Sequence, residues 1–368
     1  MHDADLMARA RTVGDRARRR AAPNPWVGCV VARDGVIVGE GASLAPGDAH
    51  AETVALAEAG DRARGATAYV TLEPCSHHGR TPPCADALVD AGITRTVVAL
   101  EDPDPRVRGG GFARLREAGV DVVVGVGADE ARRALAPYLH QRRTGRAFCL
   151  AKTAVSVDGR TAAADGTSRW ITGPAARADV HELRADSAAV VVGAGTAIAD
   201  RPTLTVRDAE SPPPHLPLRV VLDARGRVPA EGPLFDATLA PTLVVTTPDA
   251  PPASVDAWRA AGAKVETVAA APEGVDLTEA LAVLGHHDVL QALVEGGPTL
   301  HGALWRAGLV DRLVVYVGGI VLGADAAPAF SGSGPATLAD AARLTLTGAT
   351  PLGDDVRLDY DVVPAGGR

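Results

Sequence analysis

Apolar positions along the chain follow two periods, one helical and one strand-like, and they alternate. Leu6, Ala10 and Val13 share one face of an opening helix that Asp3 or Asp5 is placed to cap, with arginines on the other face. The charge run 16–20 reads as the solvated end of that helix. Pro23-Asn24-Pro25 breaks it, and an apolar strand over 27–32 follows, turning at Arg33-Asp34-Gly35 into 36–38. The pattern then predicts a helix over 51–59 ended by Gly60, and a strand over 66–72. A helix opens at Cys84 with Pro83 beside its first position. Strands at 94–100 and 120–126 and helices at 112–118 and 128–139 complete a helix–sheet–helix domain, residues 1–145. The polar stretch 141–146 marks the boundary with a second α/β domain, residues 146–368.

In that second domain strands are expected at 148–155, 188–192, 218–222, 242–246, 265–268, 289–294 and 313–317. Helices fit 174–185, 254–261, 277–284 and 299–307, and late strands at 344–347 and 356–361 would close the sheet. The proline-rich stretch 211–217 is a loop inside the domain.

Composition narrows the class. Aromatic residues are scarce, at 3%, so Val, Leu and Ala must fill the cores, as in parallel-sheet α/β proteins. A net charge of −8 argues against non-specific nucleic-acid binding, which needs Lys and Arg to neutralise phosphates. It leaves room for a small anionic ligand held by a few placed arginines. Four cysteines in 368 residues are no disulfide scaffold. The polar, charged N-terminus lacks the apolar run of a signal peptide, and no segment approaches ~18 uninterrupted apolar residues. The expectation is a cytoplasmic protein with no membrane partner.

Chemistry concentrates between residues 50 and 84. His50, Cys75 and Cys84 can form a three-ligand zinc site whose fourth position stays open, the catalytic rather than the structural arrangement. Glu52, two residues beyond the histidine, is then free to carry protons, which is the pattern of the zinc deaminases. A structural zinc, or two ordinary buried cysteines, is the competing reading. The placing of His-Ala-Glu and two Pro-Cys pairs at successive helix starts argues against it. Eight residues separate Cys75 from Cys84, where the generic pattern has two. The inserted loop carries His77, His78 and Arg80, which suit an anionic or heavily hydroxylated substrate; a solvated loop is the plain alternative.

The run 71–84, with Pro23-Asn24-Pro25-Trp26-Val27-Gly28-Cys29-Val30 upstream and Asp102-Pro103-Asp104-Pro105 downstream, resembles the bifunctional riboflavin-biosynthesis deaminase/reductase family. The resemblance implies a cytidine-deaminase-like three-layer α/β/α domain that deaminates 2,5-diamino-6-(5-phosphoribosylamino)pyrimidin-4(3H)-one, with Asn24, His77 and Arg80 meeting the substrate. Asp104 departs from the family's usual Asn. The resemblance continues through Lys152–Arg160 in numbers 152–160, with Val157 where Leu is usual, then 168–173, 181–184, 192–196, 200–207 and 295–300. It implies a dihydrofolate-reductase-like α/β domain that uses NADPH. By the same carry-over Ala154, Trp170, Thr196, Asp200 and the turn Gly297, Pro298, Thr299, Leu300, His301, Gly302 and Ala303 face the cofactor. Lys152, Ser168, Arg184, Leu204, Arg207 and Glu295 face the substrate, and a homodimer through the reductase domain is implied.

The residues of the second domain agree with this, less specifically. Gly296-Gly297 ahead of a helix start makes a backbone pocket for phosphate, and Arg184 and Arg207 are reasonable clamps for a ribose phosphate. Gly193-Ala194-Gly195-Thr196 is a second glycine turn, yet neither completes G-x-G-x-x-G, so a standard Rossmann site is not supported. Two rival readings remain: a zinc deaminase for a tRNA adenosine or free cytosine with another redox domain, and a second domain that only binds ligand or holds a dimer. The Gly318-Gly319 pair, where the family often has proline, predicts a small loop change.

Overall fold

The computed structural model describes residues 1–77, 82–207 and 209–363. The chain divides into two compact units, one ending at Gly145 and the other beginning at Arg146. In the first, five strands lie in the order Val36–Ala42, Gly28–Arg33, Thr67–Val70, Arg95–Val98, Asp121–Val124. Gly28–Arg33 is antiparallel to both its neighbours, and the last three strands are mutually parallel. Side chains alternate across that strand. Cys29 and Val31 join the core formed with Ala51, Ala55, Ala59, Ala85 and Leu88 on one face. Gly28 meets the opposite layer, the helix Asp3–Asp15, which buries Leu6, Met7, Ala10 and Val13.

Helix Ala51–Ala59 sits unusually close to the sheet because Gly41 faces it. A Cβ there would lie 2.2 Å from the Ala51 carbonyl oxygen and 2.5 Å from the Ala55 nitrogen. Both are backbone atoms of the helix that follows His50, so neither can rotate away. Gly41→Ala should therefore cost about 1–3 kcal/mol of first-domain stability and displace Glu52. Thermal unfolding and deamination assays check this, and wild-type values in both would refute the close-packing account.

Several expected elements shift. His2, not Asp3 or Asp5, occupies the helix cap, and the Asp5 carboxylate accepts the His2 backbone N–H at 3.0 Å. The run 16–20 is not merely a solvated end. Arg18–Ala21 forms its own short helix, with the Arg18 guanidinium over the buried Trp26 ring. The stretch 141–146 is only partly a linker, because helix Ala136–Thr144 runs through Thr144 before Gly145 ends it in a left-handed turn.

The second unit holds nine strands in the order Lys264–Thr267, Thr242–Thr246, Leu218–Leu222, Ala189–Gly193, Gln291–Val294, Phe148–Ser156, Arg312–Gly318, Asp355–Val362, Leu344–Leu352. They run parallel as far as Arg312–Gly318, and the last two form an antiparallel edge. The core is Val, Leu and Ala from the strands and from helices Leu277–His286 and Pro298–Arg306. Gln291–Val294 enters late, between Phe148–Ser156 and Ala189–Gly193. Strand order reverses there, and open α/β sheets leave a crevice at the carboxyl ends of such strands. The turn expected after Gly193 is in fact the start of a short helix, Ala194–Asp200.

Candidate active sites

Three local decisions assemble the first site. His50 caps helix Ala51–Ala59 in extended conformation, so its ring projects beyond the helix start. Glu52 falls in the first turn and is buried. Cys75 lies in the loop after strand Thr67–Val70, and Cys84 is the first residue of helix Cys84–Asp90. His50 Nδ1 lies 3.2 Å from Cys84 Sγ and 3.6 Å from Cys75 Sγ. The three ligand atoms are all within 4.8 Å of one another. Tetrahedral zinc with one imidazole and two thiolates places its N and S ligands about 3.5 Å apart. The donor set and its spacing fit zinc.

The electrostatics suit proton transfer. Burial pushes the Glu52 carboxyl up to about 7, and the negative charge on Cys75 adds to the effect. Hydrogen bonds from Cys84 and His50 hold the Cys75 thiol low, at about 4, while Cys84 is pushed up by sharing its proton and by burial. Cys29 is fully buried, and burial together with nearby Glu52 raises its thiol, so it stays an inert core residue.

Glu73 anchors the loop that carries Cys75. Its carboxylate accepts backbone N–H bonds from Gly109 and Gly111 at 3.0 Å, Asp102 at 3.3 Å and Phe112 at 3.4 Å. Gly111 makes the approach possible: a Cβ there would sit 1.9 Å from the Pro74 carbonyl oxygen. Asp104 pairs with Arg106, with Nη2 to Oδ2 at 2.6 Å, and its carboxylate also accepts the Arg106 backbone N–H. That is the use this chain makes of its departure from Asn. Asn24 is half-buried and donates its backbone N–H to Ala21, and His77 is exposed. Arg80 and His78 lie outside the described residues.

In the second unit a cavity of about 1460 Å³ opens at the strand ends. Its lining includes Lys152, Ala154, Ser168, Trp170, Arg184, Thr196, Asp200, Leu204, Arg207 and Glu295. The fold thus gathers residues as far apart in sequence as Lys152 and Glu295 around one space. Gly297, Pro298, Thr299, Leu300, His301 and Ala303 also line it, but Gly302 does not. Gly302 faces away, where a Cβ would meet the Ser331 carbonyl oxygen at 1.8 Å. His301 is buried and turns its ring onto the Val294 carbonyl and toward Phe330.

Arg184 does not stand free as a phosphate clamp. Its Nε and Nη2 grip Glu295 at 2.6 and 2.8 Å, and Nη1 donates to the Thr205 carbonyl at 3.0 Å. Burial alone would raise the Glu295 carboxyl, yet Arg184 and then Lys152 hold it at about 2. Desolvation keeps the Lys152 ammonium below the ordinary lysine range, partly offset by Glu295. Arg177, whose guanidinium stacks 4.4 Å from the exposed Trp170 ring, also lines the cavity. Its place one turn before His181 on helix Pro174–Ala185 was the available sequence signal. Arg225 and Arg227 also line it, and only their position just after strand Leu218–Leu222 hinted at this.

A thiolate–imidazole cluster with a buried carboxyl gives one domain the site of a zinc-type deaminase, and the other domain holds a ligand-sized cavity at a sheet's switch point. Residues 1–100 match the family described as the cytidine and deoxycytidylate deaminase zinc-binding region, and residues 147–358 match the RibD C-terminal domain. The chain is 43% identical over 360 residues to riboflavin biosynthesis protein RibD of Chlamydia pneumoniae, covering 98% of this chain and 95% of that one. It is also 43% identical over 371 residues to the RibD of Escherichia coli strain K12, with coverages of 97% and 99%. The solved RibD of Acinetobacter baumannii, form 1, superposes with a TM-score of 0.87 at 37% identity, covering 98% of this chain and 99% of that one. The chain belongs to the RibD family of bifunctional deaminase/reductases of riboflavin biosynthesis. Among the described residues no helix is long and apolar enough to cross a membrane.

Proposed function

We propose that the first domain hydrolyses 2,5-diamino-6-(5-phosphoribosylamino)pyrimidin-4(3H)-one to 5-amino-6-(5-phosphoribosylamino)uracil and ammonia. The second domain then reduces the ribosyl group to ribityl. Buried Glu52 beside the His50–Cys75–Cys84 cluster is the observation that carries this reading. A zinc ion in this N,S,S set supplies the Lewis acidity that makes water nucleophilic near neutral pH. Glu52, poised at about 7, takes a proton from the attacking water and returns protons to the ring nitrogen and the leaving amine. Asn24, His77 and Arg80 orient the pyrimidine and its phosphoribosyl arm.

In the second domain NADPH supplies the hydride that C1′ of the ring-opened, imine form accepts. Ala154, Trp170, Thr196, Asp200 and the turn from Gly297 to Ala303 position the cofactor. Ser168, Leu204 and Arg207 hold the substrate, and Arg184 acts through Glu295. The imine nitrogen needs one proton. Glu295, ionised at about 2, has none to give near neutral pH, so Lys152 donates it. We place the enzyme in the cytoplasm. We assign its homodimer contact to the second domain, whose outer strand Leu344–Leu352 pairs on one side only among the described residues.

Zinc-loaded protein given the diaminopyrimidine ribotide should yield the deaminated ribotide without NADPH and the ribityl product with it, by chromatography and mass. Turnover of a cytosine or adenine substrate in its place would sink the assignment.

A further inference from the structure

The cavity lining also takes in the turn Asp223-Ala224-Arg225-Gly226-Arg227-Val228, which follows strand Leu218–Leu222, two places along the sheet from the strand that leads to Glu295. This turn is pinned from several directions. The Asp223 carboxylate accepts the backbone N–H groups of Val228 at 2.7 Å and Arg225 at 3.2 Å. Thr246 Oγ1 donates to the Asp223 carbonyl at 2.7 Å, and Thr247 Oγ1 to that of Ala224 at 2.8 Å. Ser254 Oγ donates to the Gly226 carbonyl at 3.0 Å, and Trp258 Nε1 to that of Val228 at 2.9 Å. Behind it the Trp258 ring is fully buried.

What this rigid turn presents is positive charge. The Arg225 and Arg227 side chains are exposed, line the cavity, and make no hydrogen bond or ion pair among the described residues. Two carboxylates of the same lining are already committed. Glu273 pairs with Arg306, and Asp276 accepts the Thr278 and Glu279 backbone N–H groups at 2.8 and 3.0 Å. Two guanidinium groups on a preorganised backbone, with no internal acid to satisfy them, form an anion site.

The anion follows from the cavity's layout, and here the argument rests on the reductase reading above. The hydride-accepting end is marked by Lys152 and Glu295. Two residues beyond Glu295, the helix Pro298–Arg306 opens at Gly297 and offers its N-terminal N–H groups to a pyrophosphate. An extended dinucleotide lying across that point brings its adenosine end to strand Leu218–Leu222, whose carboxyl end carries Arg225 and Arg227. NADPH and NADH differ there only by the 2′-phosphate. We propose that Arg225 and Arg227 clamp this 2′-phosphate and so select NADPH over NADH.

The test uses the full chain and the double variant Arg225→Gln/Arg227→Gln, which keeps the stems and removes the charges. Calorimetry with adenosine 2′,5′-bisphosphate and with AMP reads the site without turnover, and KM for NADPH and NADH reads it during reduction. Wild type should bind the bisphosphate more tightly than AMP. The variant should lose roughly 10–100-fold toward the bisphosphate and NADPH, with AMP binding, NADH KM and thermal melting unchanged. Equal losses toward NADPH and NADH, or an unaltered preference for the bisphosphate in the variant, would overturn the clamp. Wild type that binds AMP as tightly as the bisphosphate overturns the clamp and leaves the dinucleotide reading standing. Wild type that binds neither nucleotide and oxidises neither cofactor overturns both.

Discussion

Glu52→Gln should slow deamination by about 10²–10⁴-fold, the usual contribution of a positioned proton carrier, while zinc content stays at the wild-type value. The glutamine amide has the size of the carboxyl and can neither take the water's proton nor return it to the pyrimidine. His50, Cys75 and Cys84 are the residues that could hold the metal, and Glu52 is not among them, so the site should stay loaded. Reduction of supplied deaminated ribotide should continue at the wild-type rate, because the cavity proposed to serve it is lined by residues of the other unit. Metal analysis, the deamination rate and NADPH oxidation measured on one preparation check all three statements. Deamination within a few-fold of wild type would remove Glu52 from the mechanism. Loss of both activities would show that the two sites do not work independently.

Glu295→Gln should have the largest effect in the second domain, on stability as well as on reduction. Its carboxylate is only 11% exposed and holds Arg184, itself 12% exposed, through two short hydrogen bonds. Removing one partner of such a pair strands the other charge and costs about 3–5 kcal/mol. The pH dependence has a definite sign. The folded value of Glu295, about 2, lies below its ordinary 4.5. Its stabilisation is therefore fully present above pH 4.5 and is lost as the pH falls toward 2. The gap in unfolding free energy between wild type and variant should close across that window. Reduction should fall by about 10²-fold, since the charge proposed to orient substrate, and coupled to Lys152, is gone. Lys152→Met is the companion: it removes the amine but leaves the Arg184–Glu295 pair, so reduction should fall with little change in melting. Equal destabilisation by both substitutions would mean that Lys152 is part of the structural pair.

Much of this molecule is visible before any fold is drawn. The helix at 51–59 and its Gly60 stop are where the pattern puts them. So are helix Pro174–Ala185 and strands Leu218–Leu222 and Thr242–Thr246. These elements are apolar runs or helix formers set between clear breakers, and local preference and burial agree. Boundaries slipped where tertiary contacts outweighed composition. Arg18 reads as a solvated charge, but its guanidinium found the Trp26 ring. Asp3 reads as a cap, but it instead pairs with Arg95 and accepts the Tyr69 hydroxyl, partners more than sixty positions away.

The same division runs through the sites. Sequence alone determined the zinc chemistry, because His50, Glu52, Cys75 and Cys84 sit at helix starts and loop positions set by short-range spacing. Ligand type in such a motif leaves few chemical options. Only tertiary structure decided what Arg184 does. An isolated arginine near a phosphate motif reads as a clamp, and nothing local announces a carboxylate at Glu295 that satisfies it. Tertiary structure likewise decided that Glu73 is the anchor of the Cys75 loop, since its four donors come from 102–112. Long-range pairs of this kind depend on strand order and on close backbone approach, which at Gly41 and Gly111 needs a missing Cβ. Sequence spacing records which groups are available, and only the packed chain settles which of them are already spent on one another.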